Sequence, residues 1–227
     1  MTYAGYVLTH LRKDLKLEWR AREVLNGMLF FALLVVVVFS LAFDPTSFPT
    51  VTWQISGGLL WVGLLFASMT ALNQSWAREL QNHVLDAQRI APSPASALLI
   101  GKSLANFIFV SVIEIVLAPV FAIFYNLHPL GQAWLLLIIL PLGTWALTMN
   151  GTFFAALSLR TRNRELLLPL VLCPIALPAL LAMIQAATNV LTGELDPGLW
   201  MKLLFGYDVV FTIACVFSFE TILNAGD

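Results

Sequence analysis

Charge is scarce in this sequence: Asp, Glu, Lys and Arg make up 11% of 227 residues, while apolar side chains make up 59%. A water-soluble domain carries about 25% charged residues, so much of this surface must face something other than water. The few charges nearly cancel, leaving −1 at neutral pH. With no basic field there is no electrostatic footprint for nucleic acid. Cysteine is equally sparse. Cys173 and Cys215 are the only two, each lies in an apolar run, and no CxxC or CxxCH spacing exists, which excludes a zinc ribbon and covalent haem attachment. Both read as small buried hydrophobes rather than as a disulfide pair. No GxxxxGK followed by Ser or Thr is present, so the chain cannot cradle ATP phosphates by itself. Nor is there an HExxH, a GxSxG or a paired-carboxylate constellation for hydrolysis. The expectation is a non-catalytic protein with no metal and no cofactor of its own.

Long apolar runs are what the sequence does have. About 20 residues at 1.5 Å each cross ~30 Å of hydrocarbon, and six runs approach or exceed that length: 27–43, 53–72, 103–125, 133–157, 166–190 and 203–223. Helix is the state such separate segments adopt, because unpaired backbone groups in lipid cost several kcal/mol each. That cost overrides the strand preference of the valine run at 35–38. The charged stretch before the first run is too long for the leading region of a signal peptide, so this run is expected to stay in the protein.

Orientation follows from Lys and Arg. Arg12, Lys13, Lys16, Arg20 and Arg22 precede the first span, Arg78, Arg89 and Lys102 fall in segment 73–102, and Arg160, Arg162 and Arg164 lie between the fourth and fifth spans. The opposite loops hold only Lys202. Such asymmetry places the basic face and both chain ends in the cytoplasm. Trp53, Trp134 and Trp200 mark the starts of the second, fourth and sixth spans, at the depth indole favours. The outer loops carry turn residues, Asp44-Pro45, His128-Pro129 and Asp196-Pro197-Gly198. The fold class is an all-α polytopic membrane protein of one domain, residues 1–227, with six spans and both ends inside.

Two polar segments lie on the basic side. In 1–26, Leu8, Leu11, Leu15 and Trp19 share one helical face, and Arg12, Lys13, Asp14, Lys16 and Arg20 fill the remainder. This amphipathic helix either lies in the membrane interface or packs on a partner protein. In 73–102, Trp76, Leu80 and Val84 align among Arg78, Glu79, Gln81, Asn82, His83, Asp86 and Arg89, predicting a short helix over 76–90. It stops at the Ala91-Pro92-Ser93-Pro94 breaker, where Ser93 or Ser96 could cap the next helix. This segment is either a solvated loop or a docking surface for a cytoplasmic subunit.

Ionisable groups inside the spans are few. Glu114 falls mid-span, where an acid costs roughly 2.5–3.5 kcal/mol, and has either a structural hydrogen-bonding role or a role in a pathway or conformational change. Asp208 and Glu220 are expected to snorkel toward the interfaces. His128, in an outer turn, is either a polar turn residue or a periplasmic haem ligand. Pro169, Pro174 and Pro178 predict a broken fifth span.

The run Lys13-Asp14-Leu15-Lys16-Leu17-Glu18-Trp19-Arg20 leads through Asn26-Gly27-Met28-Leu29-Phe30-Phe31 into the first span. With Arg78-Glu79, Asp86, Ala91-Pro92 and Gly101-Lys102, it resembles the CcmB family, the haem exporter B proteins of cytochrome c maturation. The resemblance covers essentially the whole chain, and part of the pattern is shared with ABC-2 type export permeases. It implies an ABC-2 type permease fold in the bacterial inner membrane, paired as a homodimer. The implied partners are a CcmA-like ATPase, CcmC-like and CcmD-like membrane proteins and, indirectly, a CcmE-like haem chaperone. It further implies that segment 73–102 is the coupling loop to the ATPase, that ATP sits on that partner, and that haem is a handled or transported ligand. Two rivals share these features: an ABC-2 exporter of a lipid or glycan, and a non-transporting scaffold of the complex that releases the haem chaperone.

Overall fold

The structure, a computed structural model, describes residues 2–21, 23–43, 49–82, 93–125, 133–158, 164–193 and 195–224. Its elements are helices: α1 Tyr3–Ala21, α2 Glu23–Phe43, α3 Pro49–Gln81, α4 Ala95–Phe124, α5 Leu136–Ser158, α6 Arg164–Thr192 and α7 Gly198–Asn224, with a 3-10 turn at Ala133–Leu135 ahead of α5. Helices α2 to α7 are each long and apolar enough to cross a membrane. The six expected spans are therefore present.

Helix length sets the layout of the basic face. α3 has 33 residues, about 50 Å at 1.5 Å per residue, against ~30 Å of hydrocarbon. Hydropathy falls at Asn73, yet the helix runs on to Gln81. α4 begins at Ala95, well before the apolar run at 103. The separate helix expected over 76–90 is thus corrected, since its first turns are the end of α3. Extending a formed helix adds one hydrogen bond per residue fixed, so the helix outlasts the apolar stretch. The expected serine cap is also corrected. α4 starts after Pro94 with no side-chain cap, Ala97 N–H donates to Pro94 O at 3.0 Å, and the Ser96 hydroxyl instead accepts from Tyr3 Oη at 3.2 Å.

The fifth span is not broken. Pro169, Pro174 and Pro178 all lie inside one helix, α6. An unwound turn in lipid would leave polar groups costing several kcal/mol each, so the helix continues through its prolines, and the Tyr207 hydroxyl donates to Ile175 O beside them at 3.0 Å. α6 closes at Gly193, whose φ of 69° is the left-handed conformation glycine tolerates. Its N–H donates to Asn189 O at 2.9 Å. Asp196 Oδ1 then accepts from Gly198 N–H at 3.0 Å and starts α7.

In the bundle, α3 packs on α2 and α6, α5 packs on α4, α6 and α7, and α1 runs along α4. Trp61, Leu64, Leu147, Met149, Leu172 and Met183 are among the core residues that join these helices. The outward faces are apolar too: Phe30, Leu41, Ile115, Ile123, Leu170 and Phe217 are all exposed. Apolar inside and outside is the pattern of a bundle solvated by lipid.

Candidate functional site

Three helices meet at the basic face: α1, the last turns of α3 and the first turns of α4. Their approach is set by Gly101 of α4. A Cβ there would stand 2.7 Å from His10 Cβ and 2.9 Å from Val7 O, so α1 rests directly on the α4 backbone.

Six charged side chains converge around this contact. Lys102 is 1% exposed. Its Nζ lies 3.2 Å from Asp14 Oδ2 and 3.1 Å from Glu79 Oε1, donates to both Ser75 Oγ and Ser75 O at 3.3 Å, and stands 4.8 Å over the Trp76 ring. Lys13 pairs with the same Glu79 oxygen and with Asp14 Oδ1, the latter at 3.2 Å. Arg78 Nη1 reaches Glu18 Oε1 at 3.1 Å. Among the described residues cations and carboxylates balance, three against three. A cleft of about 370 Å³ opens beside it, lined also by Leu17, Asn82 and Asn106.

The local sequence explains the geometry. Asp14 and Glu18 are four residues apart and therefore share one line along α1. That line faces the bundle, while Leu8 and Trp19 are exposed. The apolar stripe thus runs along the flank of the contact, with Leu8 and Trp19 exposed and Leu11 and Leu15 half-buried, and the acids are the line that packs. A buried ion earns no stability from its own desolvation, and it is tolerated only because every charge here has a partner.

Two groups of α1 report this environment. Burial alone would lower the Lys13 ammonium, but Asp14 and Glu79 beside it hold its pKa above the ordinary value. His10 is shifted down, first by burial and then by the Lys13 charge. The docked helix therefore disfavours His10 protonation, and the undocked state binds the proton more readily. Docking is then full above the ordinary histidine pKa of about 6.5 and weakens as the pH falls below it. Hydrogen exchange of the α1 amides, corrected for intrinsic rates, is expected to speed up between about pH 7 and pH 5.5, and His10→Gln should flatten that dependence. An α1 exchange rate indifferent to pH would show that His10 does not sense docking.

The sequence candidates separate clearly. Trp76 and Glu79 are turned into the chain's own interior and offer a partner no surface. The Trp76 indole N–H donates to Thr152 O at 2.9 Å, and its ring meets Phe219 at 5.9 Å. Arg78 is partly exposed and Leu80 is exposed. His83, Asp86, Arg89 and His128 lie outside the described residues. Lys102 is the centre that sequence reasoning missed, although a lone lysine near the start of a long apolar helix is itself a signal of function.

Further into the membrane a polar seam follows α5. Asn106 Nδ2 donates to Thr152 Oγ1 at 2.8 Å, Asn150 Nδ2 donates to Tyr207 Oη at 3.3 Å, and Trp145 Nε1 donates to Thr212 Oγ1 at 3.0 Å. Glu114 is buried and accepts from Thr144 Oγ1 at 2.8 Å. Its other oxygen has no partner among the described residues. Asp208 does not snorkel as expected. It is 6% exposed, on the inward stripe of α7 with Leu204 and Cys215, and neither carboxylate oxygen finds a hydrogen bond among the described residues. Ten residues from the start of α7, about 15 Å along the helix, it is too deep to reach the interface. Glu220, near the other end of α7, is exposed.

A family model described as CcmB protein matches residues 6–225, which takes in all three helices of the charge cluster. The chain belongs to the CcmB family. Heme exporter protein B of Rhodobacter capsulatus is 34% identical over 171 residues, covering 75% of this chain and 77% of that protein. Its namesake in Pseudomonas aeruginosa is 30% identical over 195 residues, 85% and 86% of the two chains. The Bradyrhizobium diazoefficiens protein of that name is 27% identical over 217 residues, 95% and 96% of the two chains. The resemblance seen around Lys13 to Arg20 and Gly101-Lys102 is thus borne out. In this CcmB-family chain those two motifs form opposite sides of one buried contact.

Proposed function

We propose that this chain is the permease subunit of a haem exporter, driven by ATP hydrolysis on a separate subunit at the cytoplasmic face. Family membership over nearly the whole chain carries this reading, and the heme exporter name of its relatives favours haem over a lipid or glycan cargo. Haem is cargo here rather than a resident cofactor. The chain itself supplies no catalytic constellation; the ATPase activity belongs to a CcmA-like partner. CcmC-like and CcmD-like proteins, a CcmE-like haem chaperone and a second copy of the chain complete the proposed assembly in the bacterial inner membrane.

The geometry supports a mechanical role for the basic face. Lys102 and Glu79 tie α4 to α3, and Asp14, Lys13 and Glu18 tie α1 to both. A push on the segment between α3 and α4 therefore moves three helices as one body. α3 and α4 continue unbroken into the membrane, and Trp76 links the cluster to α5 and α7. Coupling of this kind requires the ATPase to prefer one membrane conformation by about 1–3 kcal/mol.

Removal of the chain from a bacterium that carries it is the direct test. Holo c-type cytochromes should disappear while other haem proteins persist, and the partner ATPase should leave the membrane fraction. Normal c-type cytochromes in the deletion strain would refute the haem assignment, and an ATPase still bound to the membrane would refute the docking role.

A further inference from the structure

α1 turns its acids inward and leaves part of its basic charge outside. Its two acidic residues, Asp14 and Glu18, both face inward, where Lys102, Lys13 and Arg78 neutralise them. Arg12 and Lys16 are exposed on the opposite side and form no ion pair among the described residues. On the flank of this basic line, Trp19 is 65% exposed and Leu8 is also open. Trp19 lies five residues before Val24, where the first span begins, so it sits close to the depth at which the chain enters hydrocarbon.

We propose that the outward face of α1, built on Arg12, Lys16 and Trp19, is a binding surface for anionic lipid in the leaflet on the basic side. Indole settles at headgroup level with its ring toward the acyl chains, and lysine and arginine on the same helix reach lipid phosphates. The buried cluster is what makes the face cationic. Were Asp14 and Glu18 at the surface they would cancel Arg12 and Lys16, so docking of α1 on α4 and binding of anionic lipid reinforce one another.

Trp19 supplies its own probe. The full chain is placed in phosphatidylcholine nanodiscs carrying a minor share of either brominated phosphatidylglycerol or brominated phosphatidylcholine. The Trp19 signal is the difference between the chain and its Trp19→Phe variant. Each basic residue near an anionic surface contributes roughly fivefold, so the phosphatidylglycerol should be enriched at Trp19 by on the order of twenty- to thirtyfold. The double variant R12Q/K16Q should bring the two lipids to parity, and R12K/K16R should keep the preference. Added salt should weaken it, as for any exposed charge. Equal quenching by both lipids in the unaltered chain, or a preference that survives R12Q/K16Q, overturns the proposal. Trp19 shielded from both lipids would also overturn it and assign the face to water or to a protein.

Discussion

Lys102→Met is expected to cost about 3–5 kcal/mol, the usual penalty for removing one partner of a buried ion pair, and to free α1 from α4. Among the described residues Asp14 and Glu79 would keep only the partly exposed Lys13 as a counter-ion, and the ammonium over the Trp76 ring would be gone. Denaturant unfolding in detergent micelles measures the loss, and proteolysis within α1 reports the release. Lys102→Arg should not rescue fully, because a larger planar group must fit a site that is closed to solvent, at about 1–3 kcal/mol for overpacking. Pairing Lys102→Met with Asp14→Asn restores neutrality. The double variant should therefore lose less than the sum of the singles, with an interaction energy of about 0.5–3 kcal/mol. Strict additivity, with α1 still protected in Lys102→Met, would mean that the cluster does not hold the helix.

The same cluster changes the meaning of charge reversals in this segment. Glu79→Lys would put a third ammonium against Lys13 and Lys102 in a buried site. Loss of ATPase binding in that variant would reflect unfolding of the α1–α3–α4 contact as much as loss of a docking surface. Substitution at the exposed Leu80 is the cleaner probe of a partner.

How much of this was legible follows from what hydropathy measures. The six spans and their orientation could be read because they depend on summed apolar length and on which loops hold Lys and Arg. The ends of α3 and α4 could not, because hydropathy marks where the membrane stops and the helices run past that point. In α1 the apolar line through Leu8 and Trp19 was visible, but the remainder looked like one solvated face. Periodicity separates apolar from polar and is blind to sign. Lys13 stands beside Asp14 in the sequence, but Lys102 and Arg78, which bury and complete the pairs of Asp14 and Glu18, come from helices far along the chain, and nothing near α1 announces them. Asp208 was misplaced for a related reason: its depth depends on α7 starting at Gly198, ahead of the apolar run that set the expected boundary.

Trp76→Ala is expected to be as severe as loss of Lys102, at about 3–5 kcal/mol for truncating a buried tryptophan, and to disconnect the basic face from the membrane core. One side chain makes three separate contacts: with the Lys102 ammonium, with Thr152 O on α5 and with Phe219 on α7. Trp76→Phe keeps an aromatic surface under Lys102 and against Phe219 but removes the indole N–H. The Thr152 carbonyl still has its place in the α5 ladder, so this variant should lose only about 1 kcal/mol for the hydrogen bond, plus the packing of the smaller ring. The two variants therefore separate stability from transmission. If Trp76 only fills space, Trp76→Phe should retain both cytochrome yield and stimulation of the partner ATPase in proportion to its stability. If the Thr152 contact passes movement of α3 to α5, Trp76→Phe should keep ATPase binding and most of its stability yet lose cytochrome yield. A fully active Trp76→Phe protein would remove that hydrogen bond from the mechanism and leave the ring contact with α7 as the remaining link.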